Sequence, residues 1–169
     1  MRHPDEPEDH ALGRSRGGFG SKFHLVTDGK GTPLAIEVTA GQVNESTRAE
    51  SIIGQAVACQ IGRRRKKQKR RHKPRKLAAD KGYSGLRVRD WLAKQNIQPV
   101  IPYKDNEKAR WDWRVKFDRE AYRGRAVVEQ CVGWLKEYRR IGTRFEKLAV
   151  NFHAMLQLAM VKRYLKLLF

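Results

Sequence analysis

Between Arg63 and Lys76 the chain reads RRRKKQKRRHKPRK, eleven lysines or arginines in fourteen residues with no acid among them. No core can take such a segment, because burying an unpaired ammonium or guanidinium is prohibitive. It is expected as an exposed loop or a fraying helix extension, with the folded structure built on either side of it. The two sides differ in charge. Met1–Gly62 holds six basic and eight acidic residues, whereas Leu77–Phe169 holds twenty basic and ten acidic, within a formal net charge of +19. The C-terminal half is therefore basic even without the run, and a surface of that kind attracts polyanions, nucleic acid foremost. The run alone is less specific: a nonspecific phosphate contact, a localisation signal, an RNA contact or a solvated loop with no assigned task would all produce it. Arg64, Lys67 and Arg70 are its candidate DNA contacts.

Other classes of protein are excluded more firmly. Cys59 and Cys131 lie far apart and have no metal-ligand spacing, and His3, His10, His24, His72 and His153 form no His-x3-His pair. That spacing argues against a structural zinc and excludes a disulfide framework. The opening MRHPDEPEDH is polar and acidic, unlike a signal peptide. The long apolar stretch Leu148–Phe169 is broken by Asn151, His153, Gln157, Lys162, Arg163 and Lys166, which is incompatible with a membrane span. A cytoplasmic protein is expected.

Residues 1–18 read as a flexible N-terminal segment, with prolines, acids and a glycine-rich GRSRGG that offer little to bury. Lys22–Thr27 and Pro33–Thr39 are β-branched-rich runs separated by Asp28-Gly29-Lys30-Gly31, which predicts a hairpin. Asn44 or Ser46 can cap a helix from about Glu45 to Ala58, buried through Ile52, Ile53, Ala56 and Val57. After the basic run, Lys76–Ala79 predicts a short strand ending on Asp80. Ser84 can then cap a helix reaching Gln95, with Leu86, Val88, Trp91 and Leu92 inside. Gln98–Pro102 is another short strand. A polar stretch with Trp111 and Trp113 leads to a helix through Tyr122–Lys136, and a last helix runs over Leu148–Leu168 with Phe152, Met155, Leu156, Ala159 and Leu165 in the core. The order of elements reads as α/β with a mixed sheet.

Two features in this layout bear on chemistry. Tyr122, Arg125, Glu129 and Lys136 are spaced so that a continuous helix would carry them on a stripe about 60° wide, opposite Val127, Val128, Cys131, Trp134 and Leu135. The plain alternative is a polar face turned to solvent. Asp80 stands at the C-terminal tip of a strand before a glycine turn, the edge where open α/β sheets gather ligand-binding groups; the plain alternative is an ordinary turn-starting aspartate. Two carboxylates on two elements, in a chain that favours polyanions, suit phosphodiester chemistry. Hard oxygens hold Mg²⁺, a two-metal site clamps both the attacking and the leaving oxygen, and Arg125 and Lys136 can grip phosphates.

Tyr122, Arg125, Glu129 and Lys136 match the Tyr-x2-Arg-x3-Glu-x6-Lys motif of bacterial insertion-sequence transposases of the DDE superfamily, and the chain resembles their insertion-sequence-five group. The segment Gly13–Gly18 before the strand Lys22–Thr27, Asp80-Lys81-Gly82-Tyr83, and Arg139–Arg144 agree with it in the same order. The resemblance implies a ribonuclease-H-like fold of the retroviral-integrase type, Mg²⁺ or Mn²⁺ as cofactor, and metal-dependent strand cleavage and transfer at insertion-sequence ends. It makes Asp80 the second and Glu129 the third acid of the triad, both metal ligands. Tyr122, Arg125 and Lys136, with Arg139, Arg140, Arg14 and Arg16, become DNA-binding residues, and the partner becomes double-stranded DNA in a nucleoid-associated bacterial protein.

The family's first aspartate lies on a strand upstream of GRSRGG. Asp5, Glu6, Glu8 and Asp9 sit in a hydrophilic, proline-bearing stretch, Asp28 in the hairpin turn and Glu37 in mid-strand, so none suits that role. The chain is therefore expected to be the C-terminal part of a catalytic domain (19–169, with 62–76 as a basic loop insertion) lacking its first central strand and inactive alone. It would act as a homo-oligomer or with an upstream or full-length transposase chain. The competing readings are a non-catalytic DNA-binding remnant or regulatory fragment, and a basic RNA-associated protein, against which the paired carboxylates argue.

Overall fold

The computed structural model describes residues 10–15, 17–62, 73–110 and 117–168. In chain order its elements are β1 (Gly13–Ser15), β2 (Gly18–Thr27), β3 (Pro33–Ala40), α1 (Ala49–Gly62), β4 (Lys76–Ala78), α2 (Leu86–Lys94), β5 (Gln98–Val100), α3 (Arg119–Arg123), α4 (Ala126–Glu137), α5 (Arg139–Gly142) and α6 (Ala149–Leu168). Short 3-10 turns cover Glu45–Thr47, Lys81–Tyr83 and Asp105–Arg110. The chain divides into two compact units, Met1–Val43 with Val128–Phe169, and Asn44–Val127. Most of the basic run, with Arg64, Lys67 and Arg70, lies outside the described residues, as do Arg16, Trp111 and Trp113.

In the first unit the expected hairpin is present: β2 and β3 pair antiparallel from Ser21↔Ala40 to Val26↔Ala35. Strand alternation sends Phe23, Leu25, Ile36 and Val38 to one face. There they meet Leu135, Ile141, Phe152, Leu156, Ala159 and Met160 in a single apolar cluster. Two polar contacts fix α6 along β3. Tyr164 Oη donates to the Pro33 carbonyl, and His153 Nε2 lies 2.9 Å from the Ile36 carbonyl oxygen, so this nitrogen carries the ring proton. On the other face His24 is buried, with Nε2 at 3.0 Å from Thr39 Oγ1.

The segment 1–18 reads from its composition as flexible, yet Gly13–Ser15 form a strand paired to β2 through Gly13↔Gly20, Arg14↔Phe19 and Ser15↔Gly18. Gly18 supplies the positive φ of +113° that closes this tight turn, and Ser15 Oγ donates to its carbonyl at 3.0 Å. Arg144 anchors the residues just before: its guanidinium donates to the carbonyls of His10 and Ala11, and to those of Glu146 and Lys147, while lying 5.2 Å from the Phe152 ring centroid. Short-range composition cannot show a partner 134 positions away.

In the second unit β4 and β5 pair parallel, Lys76↔Gln98 to Ala78↔Val100, across the connecting α2. Val88 and Leu92 of α2 are buried, as are Ile97, Val100 and Ile101. Helix α1 buries Ala49, Ile52, Ile53 and Ala56, close to the expected face. It starts later than expected, because Asn44 caps the 3-10 turn instead, accepting from Ser46 N at 3.0 Å. Ser84 does not cap α2; Gly85 holds that position, and Ser84 is itself buried. Leu86, expected inside, is exposed because it occupies the first helical position, outside the packed face; Leu165 near the end of α6 is likewise exposed. The α/β class stands, with parallel and antiparallel pairings in two separate small sheets. No strand among the described residues joins them into the single mixed sheet expected from sequence.

Two junctions make testable demands. A Cβ on Gly41 would lie 2.8 Å from the Gly13 carbonyl oxygen and 2.9 Å from that of Gly20, and backbone cannot give way as a side chain can. Gly41→Ala should cost about 1–3 kcal/mol in urea unfolding, whereas Gly20→Ala, whose Cβ meets nothing within 4 Å, should change stability by less than about 0.5 kcal/mol. Lys76 Nζ lies 2.5 Å from Asp118 Oδ2, joining β4 to the residue that caps α3. That hydrogen bond, with the Ala121 amide, holds the Asp118 carboxyl below the ordinary aspartate range. A lowered carboxylate stabilises at pH above its unfolded value, and the contribution disappears as pH falls through the folded one. NMR titration should find the Asp118 midpoint below that of a model aspartate, and Lys76→Met should raise it.

Candidate metal and nucleic-acid site

Asp80 follows β4 by two residues, and its side chain accepts from the Lys81 amide to open the 3-10 turn Lys81–Tyr83. It is exposed. This is the placement expected from sequence: a carboxylate just past the C-terminal end of a parallel strand, where the sheet leaves backbone and side chains open to ligands. Arg89 holds the neighbouring strand end, donating to Ser84 O at 3.0 Å and Ile101 O at 2.8 Å with its guanidinium 3.7 Å from the Tyr103 ring centroid. Glu45, not singled out by any spacing in the sequence, lies against the same turn, since a Cβ on Gly82 would sit 3.4 Å from its Oε2. Only the tertiary packing of the two 3-10 turns reveals it.

The motif stripe is divided. A helix continuous from Tyr122 to Lys136 is expected, but α3 ends at Arg123, Gly124 and Arg125 form a turn, and α4 starts at Ala126. Here the hydrogen bonds shorten to three-residue steps, Arg125 N to Tyr122 O and Val127 N to Gly124 O, and glycine weakens helix continuity by about 1 kcal/mol relative to alanine. Asp118 caps α3 through Ala121 N at 2.9 Å. Tyr122 packs on Phe117 with ring centroids 5.3 Å apart, and the Arg125 guanidinium lies 5.4 Å from the Tyr122 centroid. Tyr122 and Arg125 thus belong to the unit that contains β4 and Asp80, with α3 tied to β4 through Lys76.

Glu129 and Lys136 both belong to α4, in its first and last turns, and both are exposed. Seven residues apart, they share a helix face separated by about 10 Å of rise. The apolar side of α4 is as expected, with Cys131 and Leu135 buried. Burial raises the Cys131 thiol above its ordinary pKa, so it is an unreactive core residue. Beyond α4 the chain folds back sharply, and a Cβ on Gly142 would meet the Lys136 carbonyl oxygen at 2.7 Å. Lys136, Arg139 and Arg140 are all exposed on this stretch. The Arg140 Nη2 is 2.8 Å from Glu146 Oε1, a carboxylate that is nearly enclosed. Neither Glu146 oxygen has hydrogen-bond geometry to a partner, so this pairing is coulombic. Arg14 is exposed on β1.

Asp80 and Glu129 lie in different units. Among the described residues no three Asp, Glu, His or Cys side chains come together as a metal-holding group. Both carboxylates are hard oxygen donors exposed at element ends, which suits Mg²⁺, an ion held through one or two carboxylates plus water and substrate phosphate. No helix among the described residues is long and apolar enough to cross a membrane.

The transposase DDE domain family matches residues 1–161. A transposase assigned to insertion sequence element IS402 of Burkholderia cepacia is 36% identical over 145 residues, which cover 82% of this chain. The chain spans 60% of the length of that relative. A second, assigned to insertion sequence element IS6501 of Brucella ovis, is 27% identical over 150 residues, covering 86% of this chain and 98% of the relative. No solved structure matches. With 161 of its 169 residues matched by the family, this chain belongs to the DDE-domain transposases of bacterial insertion sequences.

Proposed function

We propose that this chain supplies two of the three carboxylates of a DNA-cleaving and strand-joining centre that acts at the ends of an insertion sequence in the bacterial cytoplasm. The observation that carries the reading is Asp80, exposed at the C-terminal end of a parallel strand within the unit that also holds Tyr122 and Arg125 of the family motif. Asp80 and Glu129 would hold Mg²⁺ or Mn²⁺, which on binding activates the attacking oxygen and stabilises the leaving one. The chain's own residues do the rest. Arg125 can take a backbone phosphate bidentately, braced by the Tyr122 ring. Lys136 and Arg139 add point contacts from α4 and α5, and Arg14 and the basic run contribute sequence-independent attraction. Arg140 is committed first to Glu146, because removing it would strand a buried carboxylate.

The ribonuclease-H-like arrangement belongs to the same proposal. In it a further strand brings the first aspartate, on an upstream or full-length transposase chain that associates with this one. A chain with two carboxylates binds one metal weakly and does not clamp both oxygens of an in-line displacement.

The test is a Mg²⁺-dependent cleavage assay on DNA carrying the element's ends, with this chain alone and with a form extended upstream by a strand bearing an aspartate. Activity is expected in the extended form only. Asp80→Asn or Glu129→Gln should reduce it by more than about 100-fold, since even indirect partners of a metal ligand cost 10–100-fold, while leaving DNA binding intact. Lys136→Ala should weaken binding and lower the salt slope by about 0.9 on duplex DNA. Neutralising Arg64, Lys67 and Arg70 should do so irrespective of sequence. Cleavage by this chain alone, abolished by Asp80→Asn, would place the first acid within it.

A further inference from the structure

The β1–β2 ribbon is built asymmetrically. Arg14 and Phe19 are direct cross-strand partners, so their side chains rise from the same face about 5 Å apart. Both are exposed, Phe19 at 66%, the highest value of any large apolar side chain among the described residues. Among the described residues of the two strands the opposite face carries Gly13, Ser15, Gly18 and Gly20, with the Gln42 side chain lying over Gly13. The positive φ of Gly18 explains that glycine. At Gly20 the backbone is ordinary and a Cβ would meet nothing within 4 Å, so internal packing does not require glycine there. The ribbon therefore presents a cation and an aromatic ring side by side on one exposed face.

We propose that this ribbon is a base-stacking element, in which Arg14 holds a backbone phosphate and Phe19 stacks on a base that has left the duplex. The occupant follows from chemistry. The ring has no hydrogen-bonding group and reads any base through its π-face, the adjacent guanidinium selects a polyanion, and the net charge of +19 favours the same partner. A protein partner would more naturally meet a broad apolar face than one phenyl ring paired with an arginine. The inference rests on the DNA-binding reading above and adds to it an unpaired base as the ligand.

The experiment measures fluorescence anisotropy of the full chain on three probes: a single-stranded oligonucleotide, a duplex with one unpaired base, and the fully paired duplex. Phe19→Ala should weaken the first two by about tenfold, the effect of one base–aromatic stack, and leave the paired duplex within about twofold. Its salt slope should be unchanged because no charge is lost, whereas Arg14→Ala should lower the slope on single strands by about 0.7. Phe19→Trp should restore binding, and 2-aminopurine at the unpaired position should be quenched by the wild type and not by Phe19→Ala. Phe19→Leu keeps apolar bulk on the strand without a ring; it should lose affinity as the alanine variant does, with an unchanged unfolding midpoint. Wild-type affinity in Phe19→Ala or Phe19→Leu would overturn the stacking role while the DNA reading stood. A shift in sedimentation on Phe19→Ala without any change in DNA affinity would assign the tip to a second copy and overturn it equally. Failure of the wild type to bind any probe would overturn the DNA reading itself, and the stacking role with it.

Discussion

Carboxylates are the scarce component of this molecule, eighteen against thirty-seven lysines and arginines, and the structure uses them at junctions. Glu50 meets Arg87 at 2.8 Å, joining α1 to α2; Asp118 meets Lys76, joining α3 to β4; Glu146 meets Arg140 beyond the end of α5. Exposed pairs of this kind contribute about 0–1 kcal/mol each, so they define register between elements more than they stabilise the whole. Glu146 differs because its side chain is nearly enclosed, and losing the partner of a buried charge costs about 3–5 kcal/mol.

With so few acids, other cations are accommodated by backbone carbonyls and aromatic rings. Arg89 and Arg144 each donate to several carbonyls while lying near a ring, of Tyr103 and Phe152 respectively. Burial lowers both guanidinium pKa values, yet an arginine remains protonated throughout the physiological range, so neither loses its charge. Lys162 and Arg163 pair with the rings of Tyr138 and Trp134 at 5.0 Å. Arginine suits this work because its planar fork reaches two or three acceptors at once and stacks as it does so. The excess of positive charge is thus partly structural, and the share left on the surface is what a nucleic acid would meet.

Local pattern was sufficient where one face of an element decides its burial. The β2–β3 hairpin, the β4 and β5 strands, most of the buried face of α1, and Phe152, Leu156 and Ala159 on the core face of α6 follow from alternation or helical spacing, whereas Leu165 does not. The interruption at Gly124–Arg125 does not, because a count of 100° per residue carries no record of where hydrogen bonds shorten from four-residue to three-residue steps. Nor does α5, four residues long with two arginines and no periodicity to detect. Strand β1 depends on Arg144 reaching back to His10 and Ala11, and on the glycines at positions 13, 20 and 41 meeting closely. Of the candidate site, Asp80 at its strand tip and Glu129 with Lys136 on one helix were legible. The placement of Tyr122 on α3 and of Arg125 in the turn that follows it, and the seat of Glu45 against Gly82, required the fold.

The position of Asp80 rests on little secondary structure. Each parallel strand beside it is three residues long, and short parallel pairs are weak by themselves. What holds β5 is the packing of Val100 and Ile101 with Val88 and Leu92, and the Arg89 bridge from α2 to the Ile101 carbonyl. What holds β4 is its ladder to β5 and the Lys76–Asp118 tie to α3. The same tie positions the start of α3, and hence Tyr122 and Arg125, relative to the strand that presents the carboxylate. A single lysine–aspartate contact therefore couples the geometry of two parts of the family motif that lie about forty residues apart in sequence. The turn that follows adds constraints of its own: Asp80 caps it through the Lys81 amide, Tyr83 N bonds back to the Asp80 carbonyl at 2.9 Å, and Glu45 is seated against Gly82.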